Sequence, residues 1–304
     1  MPIIGVGWFV KAHKSGTLNR HAPDHFMHRP HRNNLQILPT KRCLVIVPVL
    51  NESGSIRKVI LRLRRSLPEY DVLVVDDGST DDTVRQIPAG IPVVSLPFNL
   101  GIGGAMQTGY RYAALHGYDV AIQVDGDGQH RPSEVRRLVE SLQTDNVDLV
   151  VGSRFLEETR YKQSFVRKFG SLVLRRIIRM LVGMDLTDCT SGFRAANRKV
   201  ILAFAHWYPE DYPEPEVVLL LRRAGFRIGE LGVRMRHRRT GRSSISLLHG
   251  VFYVLKVTVC LLLDLVRDPW PSGKVMWHEH PPEHFPGDLR WPAPSADHSK
   301  TAHV

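Results

Sequence analysis

Five short apolar runs, at 43–49, 71–75, 92–96, 119–124 and 147–152, constrain this 304-residue chain more than any other feature. The first, CLVIVPV, is apolar at every position, as expected of a strand buried on both faces. Segments with helical periodicity separate the runs: 56–67, a helix expected to open near Thr80, then 103–116 and 132–142. Ser53 or Ser55 stands where the first helix needs a cap, and Asp81 and Asp82 suit the N-terminal dipole of the second. Such alternation predicts an α/β domain with a mainly parallel sheet, right-handed crossovers and helices on both faces. Ligands of such sheets gather beyond the carboxyl ends of the strands. The polar motifs of this chain fall at those ends.

The pattern changes after residue 152. A basic amphipathic helix is expected over 165–181, another helix over 214–224, a strand over 227–236, and the most apolar helix over 247–266. That last helix has the length to span a bilayer, but Lys256 at its centre is costly there. The expectation is an interfacial, membrane-associated helix at 246–267, with a core or dimer helix as the alternative. Residues 41–245 hold every motif and form one expected domain. Residues 1–40 carry five histidines (13, 21, 25, 28 and 31) and read as a solvated basic extension rather than a metal tract, with no signal-peptide cleavage site. Residues 268–304 hold seven prolines and five histidines and read as a disordered tail. Cys43, Cys189 and Cys260 match no zinc spacing or disulfide framework, which suggests a reducing, cytosolic setting. The net charge of +11 asks for an anionic partner. The basic stretches 154–179 and 222–242 lack interleaved stacking aromatics, so nucleic acid is set aside in favour of an anionic leaflet and lipid phosphate.

Carboxylates dominate the strand ends. The fourth run leads into Asp125-Gly126-Asp127-Gly128-Gln129-His130, where two aspartates one residue apart can face one hard cation, Mg²⁺ or Mn²⁺. An EF-hand is excluded because Arg136 stands where its distal glutamate belongs. The second run ends in Asp76-Asp77-Gly78-Ser79, a place where acidic residues accept hydrogen bonds from a base or ribose. The first ends in Pro48-Val49-Leu50-Asn51-Glu52 at the same sheet edge. Asn99-Leu100-Gly101-Ile102-Gly103-Gly104 opens the third helix without a P-loop Lys-Ser/Thr pair, and reads as close backbone packing beside a nucleotide site.

PVLNE at 48–52, VVDDGSTDDT at 74–83, NLGIGGAMQTGY at 99–110, DGDGQH at 125–130 and VGSRF at 151–155 together resemble glycosyltransferase family 2, with its GT-A (Rossmann-like) fold. TDCTSGFRAANR at 187–198 is similar to the dolichol-phosphate mannosyltransferase and polyprenyl-phosphate glycosyltransferase branch, and residues 212–245 fit its bacterial members. The resemblance implies an inverting, metal-dependent hexosyltransferase that takes mannose or glucose from GDP-mannose or UDP-glucose to polyprenyl phosphate. It further implies work at the cytoplasmic face of a membrane; a small membrane-embedded partner protein is a further expectation, because two spans common in relatives are absent. By this resemblance Asp125, Asp127 and Gln129 hold the metal. Pro48, Asn51, Glu52, Asp76, Asp77, Gly104 and Arg154 line the nucleotide-sugar site, Arg238 or Arg239 and Ser243 close over the donor, and Ser191 and Arg194 meet the acceptor phosphate. Asp127, Asp188 and Arg194 are the candidate catalytic residues. Leu50 departs from the pattern, since many members carry an aromatic there. A saccharide acceptor would instead need a carboxylate base, for which Asp188, Glu214 and Glu216 are the candidates. A non-catalytic, membrane-docked nucleotide-sugar-binding protein is the alternative of another class.

Overall fold

A computed structural model describes residues 41–156, 165–210, 212–236 and 247–266. All belong to one compact unit, Lys41–Val304. The expected extension at 1–40 and tail at 268–304 lie outside the described residues.

Seven strands form one sheet. β1 (Cys43–Val49) is central and fully buried, flanked in parallel by β2 (Asp71–Asp76) and β4 (Val120–Gln123). β3 (Val93–Ser95) extends the sheet beyond β2, again in parallel. On the other side β6 (Arg194–Asn197) runs antiparallel to both β4 and β5 (Leu149–Ser153), and β7 (Ile228–Gly232) is parallel to β5. The order is β3-β2-β1-β4-β6-β5-β7. The sheet is thus mostly parallel, with one reversed strand that the sequence did not announce. Arg-Ala-Ala-Asn has neither a β-branched residue nor an apolar run, and only its place between two strands makes it extended.

Helices cover both faces. α1 (Ile56–Ser66) and α3 (Pro132–Thr144) close one face with Val59, Ile60, Leu63, Val135, Leu138 and Leu142. α2 (Gly101–Leu115), α4 (Phe165–Val182), α5 (Arg198–His206), α6 (Pro213–Arg223) and α7 (Leu247–Val266) close the other. Period-two alternation divides β1 between the two cores: Leu44 and Ile46 join one, Val45, Val47 and Val49 the other. Each such fully buried aliphatic side chain contributes about 1.5–3 kcal/mol relative to exposure. α5 was not expected; Asn197 caps it by accepting the Val200 N–H at 3.1 Å.

The helix expected near Thr80 is absent, and only a 3₁₀ turn, Val84–Gln86, forms. The polar residues meant to open it bind the first loop instead. Thr80 N donates to Asn51 Oδ1 at 2.9 Å, Glu52 N to Thr83 Oγ1 at 2.7 Å and Ser53 N to Asp81 Oδ2 at 3.3 Å. Pro88 and Pro92 then deny the segment further helical turns. Ser55 heads α1 without capping it through its side chain; its hydroxyl donates to Glu52.

Among the described residues no helix is long and apolar enough to cross a membrane. α7 buries Val257 and Leu261 and leaves Phe252, Leu255, Val259, Leu262, Leu263 and Val266 exposed along its outer side. The Lys256 ammonium lies 4.7 Å from the Phe252 ring centre on that side. Cys43 and Cys189 are buried thiols, and burial pushes both up to about 12.

Candidate active site

The site forms where β1, β2 and β4 end. Asp77 N donates to Val49 O at 2.9 Å, joining the first two strand ends. Gly78 follows with φ +74, in the left-handed region, and a side chain there would stand 2.9 Å from Asn99 N and from the Phe98 carbonyl carbon. Only glycine meets both demands. Asp76 and Asp77 are nearly buried, at 4% exposure each. Asp76 Oδ1 accepts the Ser79 N–H at 3.2 Å, and Asp77 Oδ1 accepts the Leu100 N–H at 2.7 Å at the head of α2. Burial raises the Asp77 carboxyl above its ordinary value, opposed by the Leu100 and Gly101 N–H groups. Asn51 takes a left-handed φ of 56 and anchors Thr80 through its side-chain oxygen. Leu50 is exposed beside it.

Gly103 and Gly104 of the 99–104 segment act in packing, whereas Gly101 takes a left-handed φ of +81 with open space beside it. A side chain on Gly103 would fall 2.3 Å from Pro209 O, and one on Gly104 2.5 Å from Leu100 Cβ.

Asp125 stands just past β4 with its side chain 41% exposed. Gln123 Nε2 donates to its Oδ1 at 3.4 Å. Two positions later Asp127 Oδ1 accepts the Gln129 N–H at 2.9 Å, which holds the loop in a tight turn. Two glycines bring neighbouring segments against this loop. A side chain on Gly126 would meet Val49 at 2.8 Å and Glu52 Cγ at 3.7 Å; one on Gly192 would stand 3.5 Å from Asp125 Oδ1. Glu52, the 125–129 loop and the 188–194 segment therefore share one place at the sheet edge.

Asp125, Asp127 and Gln129 offer two carboxylates and a side-chain amide within five residues, oxygen donors of the kind Mg²⁺ or Mn²⁺ takes. Among the described residues no group of three or more His, Cys, Asp or Glu side chains forms a closed metal cage. That set fits a hard cation whose shell phosphates complete, and not a structural zinc site.

Arg154 and the 187–194 segment take definite partners. Arg154 grips Asp188 through Nε at 2.6 Å, Nη2 at 2.7 Å and its backbone N at 3.0 Å, and reaches Thr190 Oγ1 at 2.8 Å. Asp188 is wholly buried. Glu230 on β7 braces the same loop, accepting from Thr187 N at 2.9 Å, Thr187 Oγ1 at 2.7 Å and Asp188 N at 2.8 Å. Asp188 is thus an ion-pair partner inside a network, a placement that does not offer it as a general base. Ser191 and Arg194 are each 2% exposed. Ser191 Oγ donates to Gly152 O at 2.6 Å; Arg194 donates to Ser191 O at 2.8 Å and Glu214 O at 2.6 Å. Both side chains brace the backbone of the loop, and in this conformation neither is presented to an acceptor phosphate.

Glu216 behaves as a first-turn helix charge, with Oε1 accepting the Tyr212 N–H at 3.0 Å. Glu214 differs. Burial raises its carboxyl above the ordinary value; Arg194 and Arg154 oppose the shift and Asp125 adds to it, so the group senses both sides of the site. Arg238, Arg239 and Ser243 lie outside the described residues. Glu230 and His130 went unassigned in the sequence. Glu230 had one visible signal, a lone carboxylate among the eight arginines of 222–242.

Residues 44–203 match the model of glycosyl transferase family 2. The chain is 34% identical over 219 residues to undecaprenyl-phosphate mannosyltransferase of Micrococcus luteus, covering 67% of this chain and 88% of that one. It is 31% identical over 173 residues to polyprenol monophosphomannose synthase of Mycolicibacterium smegmatis, covering 54% and 65%. Its fold superposes with a TM-score of 0.57 and 23% identity on glucosyl-3-phosphoglycerate synthase of Mycobacterium tuberculosis in complex with Mn²⁺, UDP and glucosyl-3-phosphoglycerate, covering 74% of this chain and 80% of that one. With the carboxylate loop at the end of β4, these matches establish that the chain belongs to glycosyl transferase family 2.

Proposed function

We propose that this chain transfers a hexose, mannose or glucose, from a nucleotide diphosphate sugar to a polyprenyl phosphate, with inversion and with Mg²⁺ or Mn²⁺. The observation that carries this reading is the close approach of the 188–194 segment to Asp125 at Gly192, which sets a candidate acceptor side against a candidate donor side. The names of the two bacterial relatives, one acting on undecaprenyl phosphate and one making polyprenol monophosphomannose, support the acceptor class.

Asp125, Asp127 and Gln129 are the residues that would hold the cation. Bound there, it would supply Lewis-acid neutralisation of the diphosphate leaving group. Glu52, Asn51 and Asp77 shape the nucleoside end, where Asp77 sets the head of α2. A lipid phosphate is already anionic near neutral pH, so its attack needs orientation more than a strong base. Arg154, side chain 19% exposed and held by Asp188 through Nε and Nη2, is a cation beside the 187–194 segment whose charge would favour a donor or acceptor phosphate there. Glu214 favours a second reading, a saccharide acceptor, because a carboxyl with a raised pKa near Asp125 is suited to take a hydroxyl proton.

The same proposal places the chain at the cytoplasmic face of a membrane. The apolar outer side of α7 and the net charge of +11 support it.

The test is turnover of radiolabelled GDP-mannose and UDP-glucose with membrane extract and Mg²⁺ or Mn²⁺, wild type against Asp127→Ala. Label in an organic-extractable, mild-acid-labile product, lost in the variant, supports the proposal and names the sugar. Label confined to aqueous polymer moves the reading to a saccharide acceptor. No metal-dependent turnover of either donor sinks the hexosyl-transfer proposal.

A further inference from the structure

We infer that His130 is a positioning residue for Asp125, acting through the Asp125 backbone; the inference rests on the proposed role of Asp125 as a cation and diphosphate ligand. At the end of β4, Val124 N donates to Ile46 O at 3.0 Å, and the chain then leaves the sheet. The next N–H, that of Asp125, goes to His130 Nδ1 at 3.0 Å. The Nδ1 lone pair is therefore the acceptor in this contact. Nε2 stands 3.7 Å from Asp125 Oδ2. The ring therefore borders both the backbone and the carboxylate of one residue.

His130 is itself held. Its side chain is 4% exposed and stacks on Phe193, with ring centres 4.4 Å apart and planes 16° from parallel. Phe193 is fully buried, and its carbonyl accepts the Gly152 N–H at 2.8 Å. Phe193 belongs to the 187–198 segment, the proposed acceptor side. One imidazole thus ties the carboxylate loop to that segment. A cation's affinity depends on how its ligands are oriented, and loss of such an outer partner lowers it by about 10–100-fold.

The acceptor and the stack are separable by substitution. His130→Phe keeps the stack and removes the acceptor. His130→Gln moves the amide to the ε position and serves as a second acceptor-less variant should the phenylalanine fail to fold. His130→Asn places an oxygen where Nδ1 stands and loses the stack. Mn²⁺ binding to the full chain is measured by electron paramagnetic resonance with GDP and, in parallel, with UDP, alongside melting temperatures. His130→Phe and His130→Gln should bind Mn²⁺ about tenfold more weakly, and His130→Asn within about threefold of wild type despite a lower melting temperature. Wild-type affinity in a folded acceptor-less variant, or His130→Asn as weak as the others, overturns the inference. Asp125→Asn separates the two levels. If it leaves Mn²⁺ binding intact, the cation-ligand role of Asp125 fails; if it abolishes binding while the acceptor-less variants bind normally, only the role of His130 fails.

Discussion

Removing the Asp188 carboxylate tests whether the acceptor-side network is structural. Asp188 is wholly buried and accepts from Arg154 Nε, Nη2 and backbone N at 2.6, 2.7 and 3.0 Å, and from Thr190 Oγ1 at 3.3 Å. In Asp188→Ala the Arg154 guanidinium loses its counter-charge where water is largely excluded. Breaking one half of such a buried pair costs about 3–5 kcal/mol. At about 2–4 °C per kcal/mol for a domain of this size, the melting temperature should fall by about 6–20 °C. Arg154→Ala strands the buried carboxylate and should cost a similar amount. The double variant leaves neither charge unpaired, so its loss should fall short of the sum by about 1.5–3 kcal/mol. Thermal and urea denaturation of all four proteins measure this. A loss under about 1 kcal/mol in Asp188→Ala, or strict additivity, would refute the ion-pair reasoning. Asp188→Asn adds a functional contrast: a general base would lose turnover while melting near wild type, whereas a network member loses stability first.

Gly78→Ala should destabilise by about 2–5 kcal/mol, from left-handed strain and from a methyl forced against the Phe98–Asn99 backbone, and should weaken nucleotide binding; a melting curve matching wild type would contradict it. Glu214 binds its proton more tightly folded than unfolded, so it withdraws stability as pH rises from its ordinary 4.5 through its raised folded value. Glu214→Gln should therefore melt higher than wild type near neutral pH, with the difference closing by about pH 4. A constant difference at all pH values would dismiss that account. Leu255→Glu with Val259→Glu, both on the exposed side of α7, should lower sedimentation with anionic vesicles without lowering the melting temperature; undiminished sedimentation would remove α7 from the membrane proposal.

Much of this molecule is written locally. β1, β2 and β4 are apolar runs whose burial needs no distant information, and the acidic motifs behind them mark the functional edge because the chain must turn there. The 125–130 loop was legible for the same reason: two aspartates and two glycines in six residues have few structural uses. Tertiary structure decided the rest. Arg194–Asn197 is a strand only because β4 and β5 leave a slot between them, and the polar residues at 80–83 bind the first loop rather than opening a helix. Asp188, Ser191 and Arg194 look in sequence like acceptor-side chemistry, yet the fold assigns them Arg154 and backbone groups as partners. Burial and pairing are set by residues far away in the chain, Glu230 on β7 above all, and no local pattern records which charges will meet.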